Sequence, residues 1–466
     1  MNNGNNGIII LGGGLTGLSA GYVLTMAGFR VKVFESDSVV GGLSKTITHN
    51  GFRFDLGGHR FFTKDTNVDK LVRDLMGDEM ISVSRHSTIF LRNNYFDYPL
   101  RPLNALFGMG IPTTVKIIED YIAEKVRGLR QAPPQLSLED WVVANFGRTM
   151  FDIYFREYSE KVWGIDCKRI SADWVAQRIR GLSLAGAIRN AFFKFSGKEI
   201  TSLVDSFIYP RLGIGRIAER LREEIENDNA VYTGFPVVKV KHSRSVIDSI
   251  ETGGGPVARY TSGDVFISSI PITTLVCLMD PPAPTPVLAA ASKLMFRDLV
   301  VVAVMIDRKR ATGQTWIYIP EKKMPFGRIH EPTNWSEQMA PEGKTILVAE
   351  YFSFRGDHIW NASDGQLADI TCRGLEQIGF IRRSEVLGSS VVRVKHAYPL
   401  FEIGYAEQCE VIYNYLSAFR NLHLAGRSGM FRYYNMDHAI ESGLRAADFV
   451  IQEARGQRQW AIGMVA

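Results

Sequence analysis

The sequence predicts an α/β protein built on a dinucleotide-binding βαβ unit, with a helical subdomain and an antiparallel sheet added to it. Three observations carry this. Residues 7–35 read as strand, glycine turn, helix, second strand and terminal acid. Residues 100 to about 200 are mostly helical in pattern, and residues 290–415 are rich in short β-type runs.

The βαβ unit comes first. Ile8, Ile9, Ile10 and Leu11 form an apolar run of the kind buried on both faces of a sheet. Gly12, Gly14 and Gly17 follow in G-x-G-x-x-G spacing, with Leu15 and Thr16 inside the motif. Helical periodicity runs to Met26 and Gly28 stops it; residues 31–34 form the second strand and Glu35 ends it. The glycines let the backbone turn tightly and approach a pyrophosphate, and the helix N-terminus offers N–H groups to its charge. Glu35 is placed to accept hydrogen bonds from a ribose.

Composition sets limits on the rest. A chain of 466 residues is too long for one simple core, so two or three subdomains are expected. Its 45% hydrophobic and 22% charged residues are those of a globular protein. The net charge of +5 is scattered, which argues against nucleic acid as a partner. Apolar runs such as 299–306 are far too short to span a bilayer. The polar start MNNGNNG carries no secretory signal. Cys167, Cys277, Cys372 and Cys409 are widely spaced, and no C-x-x-C or H-E-x-x-H occurs. Free thiols, a cytoplasmic location and no metal centre are therefore expected.

The remaining elements follow in order. Residues 87–99 suit a hairpin around Asn93-Asn94. Helices are expected at 113–128, 137–146, 150–162 and 171–182, with Ser137 as an N-cap and Ala132-Pro133-Pro134 as a linker. Residues 209–215 lead into a helix at 216–226. Strands at 237–241 and 264–268 follow, separated by a turn at Gly253-Gly254-Gly255. A proline-rich boundary at 281–286 precedes strands at 299–306, 315–319, 345–352 and 390–394. A last strand at 422–424 leads to a glycine turn, and Met436-Asp437-His438 opens the final helix. The cofactor domain is thus expected to be discontinuous, from 1–85, 205–270 and 416–455. Residues 100–204 form the helical subdomain, 86–99 and 271–415 the sheet domain, and 456–466 a tail.

After Glu35 the chain carries Gly41-Gly42-Leu43 and then Phe54-Asp55-Leu56-Gly57-Gly58-His59. Fingerprint, acid and two glycine pairs together resemble the FAD-dependent amine-oxidase-like superfamily, which includes protoporphyrinogen oxidases. The resemblance implies a Rossmann-like FAD domain of the GR2 type. It implies FAD contacts at Gly12, Gly14, Leu15, Thr16, Gly17, Glu35, Gly42, Leu43, Gly57, Gly58 and Val238. His59 and Arg60 are placed facing the flavin, where they would tune its redox state.

Five further stretches resemble one branch, the UDP-galactopyranose mutase family. Tyr158-Ser159-Glu160-Lys161-Val162-Trp163-Gly164 is similar to its Y-T-x-K-x-W-G segment, with Ser159 in place of Thr. Gln177-Arg178-Ile179 is similar to its mobile-loop arginine, and Pro325 to Glu331 (PFGRIHE) to its P-[YF]-x-R-I-H-E run. Glu350-Tyr351 and Ala397-Tyr398-Pro399 resemble strands whose tyrosine hydroxyls touch the substrate diphosphate. Residues 426–437 resemble G-R-x-x-x-[YW]-R-Y-x-x-x-D, implying FAD contacts at Gly426, Arg427, Arg432, Asn435, Met436 and Asp437.

The substrate residues so implied are Tyr158, Trp163, Arg178, Arg328, Tyr351, Tyr398, Arg432 and Tyr433, with Arg178 and Arg328 as diphosphate ligands. Two arginines and two tyrosine hydroxyls make a forked donor set suited to a pyrophosphate. The implied enzyme interconverts pyranose and furanose forms of a nucleotide-diphosphate sugar, UDP-galactose above others. It would do so through an adduct of the sugar with N5 of reduced flavin, and take electrons from a donor such as NAD(P)H. Homo-oligomerisation is left open. The sequence departs from that family at residues 188–209, where no uracil-binding set matches. Tyr209-Pro210-Arg211-Leu212-Gly213 is closer to amine-oxidase and protoporphyrinogen-oxidase relatives. A net oxidoreductase acting on an amine, porphyrinogen or polyene is therefore the alternative.

Overall fold

The computed structural model describes residues 7–91, 93–97, 110–130, 136–174, 206–253 and 259–456. Its first layer is a five-stranded parallel sheet. The order is Leu422–Leu424, Val265–Ser268, Gly7–Leu11, Arg30–Phe34 and Ala230–Tyr232. Gly7–Leu11 lies in the middle and Ile8 to Leu11 are buried, as its unbroken apolar run requires. Helix Leu15–Met26 packs on helix Met436–Ala454 at close range. Gly443 makes this approach possible, since a Cβ there would lie 2.2 Å from Ser19 Oγ. Thr16 Oγ1 donates to the Ala439 carbonyl at 2.8 Å across the same contact. The sheet thus draws on three distant parts of the chain.

The second layer is a seven-stranded sheet. Its order is Val386–Pro399, Phe296–Ile306, Thr345–Ser353, Arg328–His330, Trp316–Tyr318, Ser87–Leu91 and Asn94–Asp97. Every neighbouring pair is antiparallel except Trp316–Tyr318 with Ser87–Leu91. Side chains alternate between two faces. Leu347, Ala349 and Tyr351 pack with Leu367 and Leu375 of helix Asp364–Gln377. Ile346, Val348 and Phe352 pack with Phe52, Phe54 and Leu56. Glu350 belongs to this second set by parity, and the site depends on that.

Ser137 caps helix Leu138–Phe146 through a reciprocal box with Asp140, as its sequence predicts. The hairpin at Asn93 forms, with Leu91 opposite Asn94 and Asn93 at φ +59°. The expected helix at 150–162 is a composite. An α turn at Arg148–Met150 widens into a π turn at Phe151–Phe155 before helix Arg156–Trp163. The strands expected at 237–241 and 264–268 do not follow one another. Val246–Thr252 and Arg259–Ser262 lie between them and pair with each other. Helices Thr285–Lys293, Asp364–Gln377 and Tyr405–Leu416 were not expected from the pattern. Residues 175–182, 132–134, 254–255 and 457–466 lie outside the described residues.

Asp55 ties the hairpin of Thr46–His49 and Phe52–Asp55 to Tyr209 and Ile214. It accepts from Thr46 Oγ1 and Tyr209 Oη, each at 2.6 Å, and from the Ile214 N–H at 3.2 Å. Burial pushes its carboxyl up to about 6, against the pull of these donors. Folding therefore takes up a proton at this group. Its stabilisation is complete below the ordinary carboxylate pKa and is lost as pH rises through about 6. Asp55→Asn should flatten the pH dependence of the unfolding midpoint between pH 4 and about 6, measured by chemical denaturation.

Candidate active site

The glycine fingerprint builds a cradle at the C-terminal edge of the parallel sheet. Gly14 bridges to Gly41, and the Gly41 N–H donates to the Gly13 carbonyl at 2.8 Å. Gly42, at φ +56°, would place a Cβ only 3.3 Å from Gly14 Cα. Glu35 accepts from the N–H groups of Gly13 and Asp37, both at 2.8 Å. Neither helix Leu15–Met26 nor helix Met436–Ala454 has a side-chain cap, although Asn435 holds the N-cap position of the second. Val238 falls where the pairing register slips between Val237 and Lys239. A backbone cradle, uncapped helix starts and an acid at the strand end fit an FAD pyrophosphate and ribose.

Beside the Gly57-Gly58 loop, three adjacent strands place a row of side chains in register. Tyr318 is opposite Arg328, and Arg328 is opposite Glu350. Arg328 donates to Glu350 and, at 2.7 Å, to the Tyr398 hydroxyl. Glu350 also accepts from the Gly58 N–H at 3.2 Å, and His330 Nδ1 stands 3.7 Å away. Burial alone would raise the Glu350 pKa. The Arg328 charge, with His330 and His59 adding, holds it down at about 2 instead. Burial also opposes the Arg328 charge, but Glu350 outweighs it and the guanidinium stays protonated. His59 is pushed down to about 4 by burial, with Arg427 and Arg328 adding to this against the pull of Glu350; it is neutral at pH 7.

Several buried polar atoms around this row have no hydrogen-bond partner: His59 Nδ1, both ring nitrogens of His330, Trp316 Nε1 and Arg328 Nε. Such a concentration of unpartnered polar atoms is costly in a core. Gly58 has to be glycine, because a Cβ there would fall 2.2 Å from the Trp316 ring.

Aromatic side chains wall the row. Tyr398 and Tyr433 stack at 6.1 Å, and Trp163 meets both edge-on at 6.3 Å. Arg427 lies over the same two tyrosine rings, at 4.9 and 4.6 Å, and donates to the Tyr434 carbonyl at 2.8 Å. Tyr158 meets Tyr318 edge-on at 5.9 Å. Arg328 lies 4.9 Å from the Phe352 ring and 5.8 Å from that of Trp316.

Seven of the residues singled out in the sequence converge here: His59, Tyr158, Trp163, Arg328, Tyr398, Arg427 and Tyr433. Tyr351 does not. Its hydroxyl shares a hydrogen bond of 2.6 Å with Thr371 of helix Asp364–Gln377, on the opposite face of the sheet. Strand parity is the reason: Glu350 faces the row, so the next residue cannot. Arg432 is half-buried, and its charge is felt at Tyr405, Cys409 and Tyr413. Arg60 is half-buried just beyond His59, and Leu43 packs against the Phe54 cluster. Met436 is core and Asp437 opens its helix. Arg178 lies outside the described residues. Sequence reasoning missed Tyr318, Trp316 and His330, and gave Glu350 no role. Glu350 had a legible signal, as the lone charge in the strand TILVAEYFS.

The parallel sheet, its glycine cradle and the antiparallel sheet beside it define a flavin-binding α/β enzyme fold. The chain belongs to the flavin containing amine oxidoreductase family, whose model matches residues 15–451. It is 22% identical to protoporphyrinogen oxidase 2 of Arabidopsis thaliana, over 95% of this chain and 93% of that one. It is 21% identical to coproporphyrinogen III oxidase of Bacillus subtilis (strain 168), over 92% and 94% of the two chains. Its fold matches the crystal structure of reduced UDP-galactopyranose mutase, with a TM-score of 0.83 and 23% identity over 96% of each chain. Among the described residues, no helix is long and apolar enough to cross a membrane, and no group of three or more His, Cys, Asp or Glu residues could hold a metal ion. The four cysteines are free.

Proposed function

We propose that this flavoenzyme is a nucleotide-sugar mutase, interconverting the pyranose and furanose forms of a UDP-sugar, with UDP-galactose the first substrate to test. The observation that carries the reading is the Arg328 row: a guanidinium fixed by Glu350 and joined by the Tyr398 hydroxyl, inside an aromatic wall. A polyene gives a charged arginine no anion to bind, and a porphyrinogen offers it only peripheral carboxylates, whereas a leaving diphosphate uses its charge at the bond that breaks.

Reduced FAD, when bound, supplies the nucleophile for the anomeric carbon. The chain's own residues do the rest. Arg328 takes up the negative charge that develops on the departing diphosphate, with Arg178 as its partner from the 175–205 segment. Tyr398 donates to the same oxygens. Trp163 and Tyr433 shield the sugar from water. Neutral His59 donates or accepts one hydrogen bond at the flavin edge without adding charge. No net electrons pass to product, so NAD(P)H serves only to keep the flavin reduced.

The second reading is a porphyrinogen-type oxidase, favoured by relatives that align over more than nine-tenths of the chain. Flavin absorbance separates the two. UDP-galactose added anaerobically to dithionite-reduced protein should perturb the reduced-flavin spectrum, and coproporphyrinogen added anaerobically to the oxidised protein should not bleach its flavin. The reverse pattern selects the oxidase.

A further inference from the structure

Lys161 lies on helix Arg156–Trp163, between the two aromatic residues that wall the site. Its ammonium has left bulk water, and burial pushes its pKa down to about 7 while Glu157 and Glu321 pull it up. All three donors go to backbone carbonyls: Ile319 at 3.0 Å, Glu321 at 2.9 Å and Phe326 at 2.7 Å. These carbonyls belong to one hairpin. Ile319 directly follows Tyr318, Phe326 comes two residues before Arg328, and the Ile319 N–H closes the turn on the Gly327 carbonyl at 2.9 Å. One side chain thus ties the helix bearing Tyr158 and Trp163 to the hairpin bearing Tyr318 and Arg328.

The same helix end is held from its other side. Arg297 donates to the carbonyls of Val162 at 3.0 Å, Lys161 at 3.3 Å and Phe352 at 3.0 Å. Gly164 ends the helix at φ +72°, where a Cβ would lie 2.6 Å from Arg297 Cζ. With Arg297 fixing the helix to the sheet, the three Lys161 hydrogen bonds, beside the more exposed Lys322–Glu160 ion pair, hold the hairpin to the helix.

We propose that Lys161 is a positioning residue for Arg328, holding its hairpin at a fixed distance from the Tyr158–Trp163 wall. It touches neither substrate nor flavin and acts through Arg328. The proposal rests on the diphosphate role given to Arg328 above.

A double-mutant cycle on the holoenzyme tests it, with UDP as the probe. Lys161→Met keeps the length of the side chain and removes every donor. UDP affinity should fall about tenfold, the size of a lost hydrogen-bond set, with FAD occupancy unchanged. In Lys161→Met combined with Arg328→Ala, affinity should be no weaker than in Arg328→Ala alone, because the two act through one contact. Lys161→Arg, which keeps charge and donors, should restore part of the loss, and it serves as the readout if the Met variant does not fold. Wild-type UDP affinity in Lys161→Met, or additive losses in the double variant, would overturn the positioning role while leaving the Arg328 reading intact. Wild-type UDP affinity in Arg328→Ala would overturn that reading and this inference with it.

Discussion

Arg328→Ala should lower kcat/KM for a UDP-sugar by about tenfold to a hundredfold, the usual loss for a charge-assisted hydrogen-bonding group. The guanidinium meets Glu350, Tyr398 and the Phe352 ring from fixed directions. Lysine should therefore recover only part of the activity, because a point charge cannot reproduce a planar fork. FAD content should stay at the wild-type level, since the cradle around Gly14, Gly41 and Gly42 is built from separate elements. Steady-state kinetics and flavin absorbance of the purified variant measure both. Loss of FAD with unchanged affinity for the UDP-sugar would assign Arg328 to the cofactor instead.

Glu350→Ala should have the largest effect on stability. It removes a carboxylate with no solvent exposure and leaves Arg328 charged, buried and unpaired. Breaking one side of a buried pair typically costs about 3–5 kcal/mol. The Gly58 N–H loses its acceptor too, so the His59 loop loosens. A drop in thermal midpoint of several degrees is expected, read on apo and holo protein separately. The sign with pH follows from the Glu350 pKa, held at about 2. Its contribution is present above the ordinary carboxylate pKa and is lost as pH falls toward 2, opposite to Asp55. Glu350→Gln keeps the shape and should fall between wild type and alanine. An alanine variant as stable as wild type would mean that Arg328 finds another anion or reaches water.

The centre of the parallel sheet was legible because Gly7–Leu11 ends in an unbroken apolar run and the fingerprint that follows it has a single physical reading, whereas the short edge strand Ala230–Tyr232 carries no such signal. Ser137 and Asn93 were legible for the same reason, each being a local signal that matches one geometry. Helix Asp364–Gln377 was hidden by Gly365, Thr371 and Gly374, residues of low helical preference that are tolerated because the helix is buried against the sheet. Its capping box, Ser363 with Gln366, was the overlooked cue. In the site, arginine, histidine and the aromatics were found through motifs, and motifs carry no facing. Tyr351 failed for that reason: only strand parity decides between it and Glu350, and the charge in an apolar strand was the clue. Tyr318 was missed because it joins Arg328 through cross-strand register, and Trp316 because it meets Arg328 only through a ring contact, both set in three dimensions.

In the proposed reaction the Arg328 row serves a leaving diphosphate, and there is no net redox change. The most direct measurement incubates dithionite-reduced holoenzyme with UDP-galactopyranose under anaerobic conditions and follows the sugar ring by NMR against electrons consumed. UDP-galactofuranose should form in many turnovers per reducing equivalent, with turnover falling about tenfold or more in Arg328→Ala. No furanose, together with oxygen consumed in step with the oxidation of a porphyrinogen supplied to the oxidised enzyme, would contradict the proposed reaction.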